Sequence, residues 1–121
     1  MTRKEFLMKL ESVLVNDEVV QSVEGIYGHT LSMVIKQILS ISEESIFFDD
    51  GWRTLSFAEI LDAQADLHVD FKTLGFVPVI DCGDNDFVVF HMEDDTWSKY
   101  NIVDGTVFMK KAQLEDLFGY K

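Results

Sequence analysis

The sequence predicts a single α+β domain with a mostly antiparallel sheet and packed helices, and three observations carry that prediction. Apolar residues recur at helical spacing over residues 6–14 and 31–39. Two apolar runs, residues 76–80 and 87–92, flank the turn-rich residues 81–86. Short connections between successive strand-like runs favour antiparallel pairing over parallel crossovers.

The elements follow in chain order. Phe6, Leu7, Leu10, Val13 and Leu14 form one helical stripe, with Asn16 and Asp17 as its expected end. Residues 19–27 are ambiguous between a short helix and a connection. Leu31, Val34, Ile35, Ile38 and Leu39 form a second stripe, with Thr30 as the expected N-cap. Residues 46–48 and 52–55 flank Asp49, Asp50 and Gly51, which predicts a compact hairpin. Ser56 and Glu59 have the spacing of a capping box, opening a helix to about Ala65. Pro78 has no amide hydrogen to donate, so its strand should be at an edge or bulged there. Residues 87–92 are apolar on both alternating sets, as in an interior strand covered on both faces. Asp104 and Gly105 signal a two-residue turn between residues 97–103 and 106–109. Leu114, Leu117 and Phe118 make a last short helix that Gly119 is placed to end.

A chain of 121 residues with 47% hydrophobic residues and one proline suits one folded domain, residues 1–121. No apolar run approaches the ~20 residues that span a bilayer. The amphipathic start argues against a cleaved secretion signal, and the lone Cys82 fits a reducing compartment, so a cytoplasmic location is expected. Residues 43–104 hold 15 acidic residues against three basic ones, Arg53, Lys72 and Lys99, so the whole net charge of −12 falls there. Clustered carboxylates disfavour nucleic acid and anionic membranes, which are recognised through Lys and Arg. The natural complement is a basic protein partner, and the plainer reading of the acidity is solubility.

No residue pattern points firmly to catalysis. Asp81, Asp84, Asp86 and the Glu93, Asp94, Asp95 group could hold a hard cation, but their spacing is not that of an EF-hand. A metal-dependent hydrolase using this loop is therefore a reading to test, against solvated turn residues as the ordinary one. His29, His68 and His91 are scattered, and His91 alternates with Phe87 and Val89, as a half-buried hydrogen-bonded histidine would. Acidic neighbours disfavour a Cys82 thiolate. No phosphate loop or nucleophile elbow occurs, and no cofactor or metal is expected. Trp52 and Trp97 each follow an acidic cluster, where an aromatic anchor ringed by carboxylates would suit Lys or Arg on a partner. The alternative for both is the core, and at least one is expected to be partly exposed.

Three segments give the chain a likeness to a known family: residues 31–39 after Gly28, the proline-containing apolar strand at residues 76–80, and Gly83, Asp84, Asn85, Asp86, Phe87 entering the next strand. With these, the chain resembles the SUKH superfamily of fungal cell-wall assembly regulators and bacterial immunity proteins. The resemblance implies a SUKH-like topology and a non-enzymatic immunity protein that neutralises a basic cognate toxin domain, in bacteria often a nuclease. The alternative is a regulatory scaffold domain without a toxin partner. The expected contact residues are Asp49, Asp50, Trp52, Asp84, Asp86, Glu93, Asp94, Asp95 and Trp97.

Overall fold

The first helix opens on a reciprocal cap. In the computed structural model, which describes residues 1–119, the Thr2 hydroxyl accepts from Glu5 N–H, and the Glu5 carboxylate accepts from Thr2 N–H. This starts α1 (Arg3–Leu10), four residues shorter than the apolar stripe predicts. The chain leaves the helix because Asn16 must be extended to cap the next one, its side chain accepting from Glu18 and Val19 N–H. Leu14 is consequently 90% exposed. The ambiguous segment is a full helix, α2 (Asp17–Tyr27), burying Val20, Val23 and Tyr27 and ending at Gly28 in the left-handed region. The helix α3 (Met33–Ile41) starts after Ser32 rather than Thr30. The Leu31 amide is held by the Glu24 carboxylate, which delays the helical turn past Thr30.

The acidic hairpin forms as expected, with Phe47 bridged to Arg53 and Asp50 accepting from Trp52 N–H in the turn. Its second arm is β1 (Arg53–Thr54). Ser56 and Glu59 do make a capping box, opening α4 (Phe57–Leu67). A further single turn, α5 (Phe71–Leu74), is capped by Asp70 and was not legible beforehand. Then come β2 (Phe76–Gly83), β3 (Asp86–His91), β4 (Thr96–Asn101), β5 (Val107–Lys111) and α6 (Leu114–Phe118), with Gly119 ending it.

All neighbours in the sheet are antiparallel, in the order β1-β2-β3-β4-β5. The register slips after Pro78, which is the bulge its missing donor predicts. Asp84 and Asn85 sit at φ 53° and 66°, so β2 and β3 are joined by a tight two-residue turn. The β4–β5 connection is wider than two residues. Asn101 accepts from Val103 and Asp104 N–H, and its own N–H donates to Thr106, so the loop is built on Asn101.

Strand β3 is central, and Phe87 through His91 are all buried. On one face of the sheet α6 packs on β4 and β5 and α1 packs on α6, with Phe6, Phe48 and Phe118 in edge-on and tilted contact. On the other, α4 and α5 pack on β2, and Phe71 meets Tyr100. Tyr27 reaches across from α2 and donates its hydroxyl to the Ile60 carbonyl of α4. The fold is thus α+β, with six helices among the described residues, and none is long and apolar enough to cross a membrane.

Arg53 ties the two halves of this frame together. Its guanidinium meets both Glu59 oxygens at 2.8 and 2.9 Å and lies 3.6 Å from Asp81. Hydrogen bonding from Arg53, helped by the Ser56 amide, holds the Glu59 carboxyl at about 2 against an ordinary 4.5, despite partial burial. A depressed carboxyl contributes stability above its unfolded value and loses it as pH falls through the folded one. Urea midpoints measured from pH 7 downward should therefore fall between about 4.5 and about 2, and Glu59→Gln should flatten that part of the profile. An unchanged profile in Glu59→Gln would mean that the ion pair adds nothing to folding.

Candidate protein-binding surface

The expected contact residues separate into three places. Asp49, Asp50 and Trp52 occupy the hairpin before β1, and Arg53 pairs with Asp81, so this hairpin lies toward the Gly83 end of β2. Asp84 and Asp86 form the β2–β3 turn at that same end. Glu93, Asp94 and Asp95 make the β3–β4 turn at the other end of β3. At about 3.3 Å per residue, the five steps along β3 put the two acidic turns roughly 17 Å apart. They are two patches, not one cluster.

Several of these carboxylates are already engaged. Asp49 accepts from the amino group of Met1 at 2.9 Å, and Asp50 pairs with Arg3. Asp86 accepts from the Asn101 amide at 2.8 Å. Asp94 accepts from Lys110 at 2.8 Å and from Thr96, and the Lys110 bond first of all holds its carboxyl down at about 2. Asp84, Glu93 and Asp95 are exposed and take no ion-pair partner among the described residues.

The tryptophans part company. Trp52 is half-buried, as expected of at least one of them. The Arg3 guanidinium lies 4.0 Å from its ring centroid and the Lys99 ammonium 4.5 Å, so its own chain supplies the cations on its ring. Trp97 is 3% exposed and packs on Phe90 at 4.8 Å between centroids. Alternation along β4 turns it inward beneath α6, which corrects its place among the contact residues. It is a core side chain.

Sequence spacing held one signal that was missed. Glu59, Asp62 and Asp66 stand at i, i+3 and i+7 on α4, one helix face. Asp66 and Glu59 line a small cleft of about 80 Å³ with Arg53, Asp81, Leu55 and Phe87. The α4 carboxylates therefore border β2 and β3 and extend the acidic end that Asp84 and Asp86 begin. A larger groove of about 360 Å³ lies on the opposite face, between α1, α3 and α6, where Met8, Val34 and Leu114 meet the rim of Trp97. Its residues come from four separated segments, which is why no local pattern announced it.

The remaining reactive side chains are quiet. His91 is 8% exposed, shares a 2.7 Å hydrogen bond with Ser98, and lies against Phe76. Burial holds its imidazole below the usual value. Burial likewise pushes the Cys82 thiol up to about 12, so it carries a proton at neutral pH. Among the described residues, no group of three or more His, Cys, Asp or Glu side chains could hold a metal ion, and no buried side-chain nitrogen or oxygen lacks a partner.

Because Trp97 fills the core, Trp97→Ala should destabilise the protein by about 3–5 kcal/mol, as large-to-small changes at buried aromatics do. Trp52→Ala should cost clearly less in the same urea titration. Equal midpoints for the two variants would contradict the inward placement of Trp97.

Set against family models, characterised proteins and solved structures, the chain matches none, so its own side-chain arrangement carries the functional reading.

Proposed function

We propose that this chain is a protein-binding module of SUKH type, an immunity protein that occludes a basic toxin domain in the cytoplasm without catalysis of its own. The observation that supports this most is the separation of charge. Lys99 and Arg53, two of the three bases in the acidic segment, are drawn inward, one onto Trp52 and the other between Glu59 and Asp81. The acids they leave behind, Asp62, Asp66, Asp84, Glu93 and Asp95, face solvent without ion pairs among the described residues. The charge-balanced terminal segments meet where α1 packs on α6 through Phe6 and Phe118, and among the described residues they neutralise only Asp49, Asp50 and Asp94 of the acidic segment.

Such a distribution steers a basic partner toward the two acidic ends of β3 and repels acidic ones. Asp66, Asp84 and Asp86 at the α4 end would take positions that a nuclease reserves for phosphates. Glu93, Asp94 and Asp95 form the second patch, with Asp94 held in place by Lys110. Asp49, Asp50 and Trp52 lie beside the first patch and are braced by the N-terminal residues.

The test begins with co-purification from the native cells and identification of the bound protein. Surface plasmon resonance against that protein then separates steering from a solubility coat. With Asp66, Asp84 and Asp86 changed to Asn, the on-rate at 0.1 M salt should fall about tenfold with little change in off-rate. The difference should vanish at 1 M salt, as the Debye length shrinks from about 10 Å to about 3 Å. Rates indifferent to both the substitutions and the salt would sink the proposal.

A further inference from the structure

The sheet does not end at β1. Arg53 pairs with Asp81 on one side and bridges to Phe47 on the other, so residues 46–48 form the true outer edge. Phe48 N–H donates to the Trp52 carbonyl at 2.8 Å and Thr54 N–H to the Ile46 carbonyl at 2.9 Å. In an antiparallel ladder, bonds flanking a pair in this way turn the N–H and C=O of the residue between them outward. That residue is Phe47, and neither its N–H nor its C=O takes a hydrogen-bond partner among the described residues. Its side chain is 66% exposed, while that of Phe48 is buried in the core.

The two edges of the sheet are treated differently. At the far edge, β5 carries Lys110 and Lys111 and a register slip, with Met109 at φ 54°. Lysines and bulges are the usual devices that stop an edge from recruiting another strand. Residues 46–48 carry no lysine, proline or bulge, and present an aromatic ring instead. Two residues on, Asp49 N–H donates to the Met1 carbonyl at 2.9 Å, so the chain's own Met1 closes that end and the outward groups left for pairing lie at Phe47 and toward Glu44.

We infer that the edge at residues 46–48 receives an extended basic segment of the partner as an added strand, bonded main chain to main chain at Phe47. An apolar side chain of that segment would cover the Phe47 ring, and its flanking Lys or Arg would meet Glu43 and Glu44, which are exposed and unpaired among the described residues. A second copy of this chain does not suit the edge. Antiparallel pairing with itself about Phe47 would bring Glu44 toward Asp50 of a molecule that also carries −12. This inference rests on the proposed basic partner and adds to it a place and a mode of contact.

The probe is a capped synthetic peptide, Lys-Val-Arg-Val-Lys, titrated into the isotope-labelled full chain and followed by amide NMR shifts. Shifts should centre on Glu44, Phe47 and Phe48. A version of the peptide N-methylated on alternate residues should bind at least tenfold more weakly. Phe47→Pro, which removes the outward donor and the ring together and should leave the Arg53 pairing intact, should weaken the unmodified peptide at least as much. Undiminished binding of the N-methylated peptide, or no shift at Phe47, overturns the added strand. Shifts confined to Asp66, Asp84 and their neighbours would do the same while leaving the attraction for basic groups standing, so failure of the edge is distinguished from failure of the charge-based reading.

Discussion

The constraint on which the rest of this molecule depends is that β3 is apolar on both faces. Val88 and Phe90 on one side and Phe87 and Val89 on the other are all withdrawn from water. At about 25 cal/mol per Å² of apolar surface, leaving either side bare would forgo several kcal/mol. Helices must therefore lie on both faces, and α1 with α6 and α4 with α5 do so. The hairpins at the two ends of β3 then project beyond the helical layers. Those hairpins carry the acids.

Electrostatics is arranged around the same frame. Arg53 sits where β1, β2 and α4 converge, and its pairing with Glu59 doubles as part of the helix cap, since Ser56 N–H also donates to that carboxylate. One arginine thus orients a helix start, fastens it to the sheet, and removes a positive charge from the acidic surface. Lys99 acts similarly on the opposite face, lying over Trp52 and near Phe108. A segment whose few bases turn inward shows the outside a stronger negative field than its composition states.

The two sheet edges bear on function from another direction. A five-stranded open sheet has two unpaired rims, and each is a liability unless blocked or used. Here β5 is the blocked one. The rim at Phe47 is aromatic and bordered by acids, so the proposed added strand and the proposed basic partner call for the same kind of segment, extended and basic.

Much of this was legible locally. The Ser56 capping box, the bulge at Pro78, the turn at Asp84 and Asn85, the buried β3 and the Gly119 stop each depend on residues within a few positions of one another. Failures arose where distant residues compete for the backbone. Residues 11–14 left the helix because Asn16 starts another, with its own N–H held by Ser40, and Thr30 lost its cap to a bond between Glu24 and Leu31. The sequence by itself determined the fold class, the local hairpins and the concentration of charge, because periodicity and turn chemistry are short-range. Only the tertiary structure decided that Trp97 is core, that the acidic turns are separate, that α4 joins one of them, and that Phe47 borders an open edge. Those facts depend on which face a strand shows to helices folded from remote parts of the chain, and no local pattern encodes that.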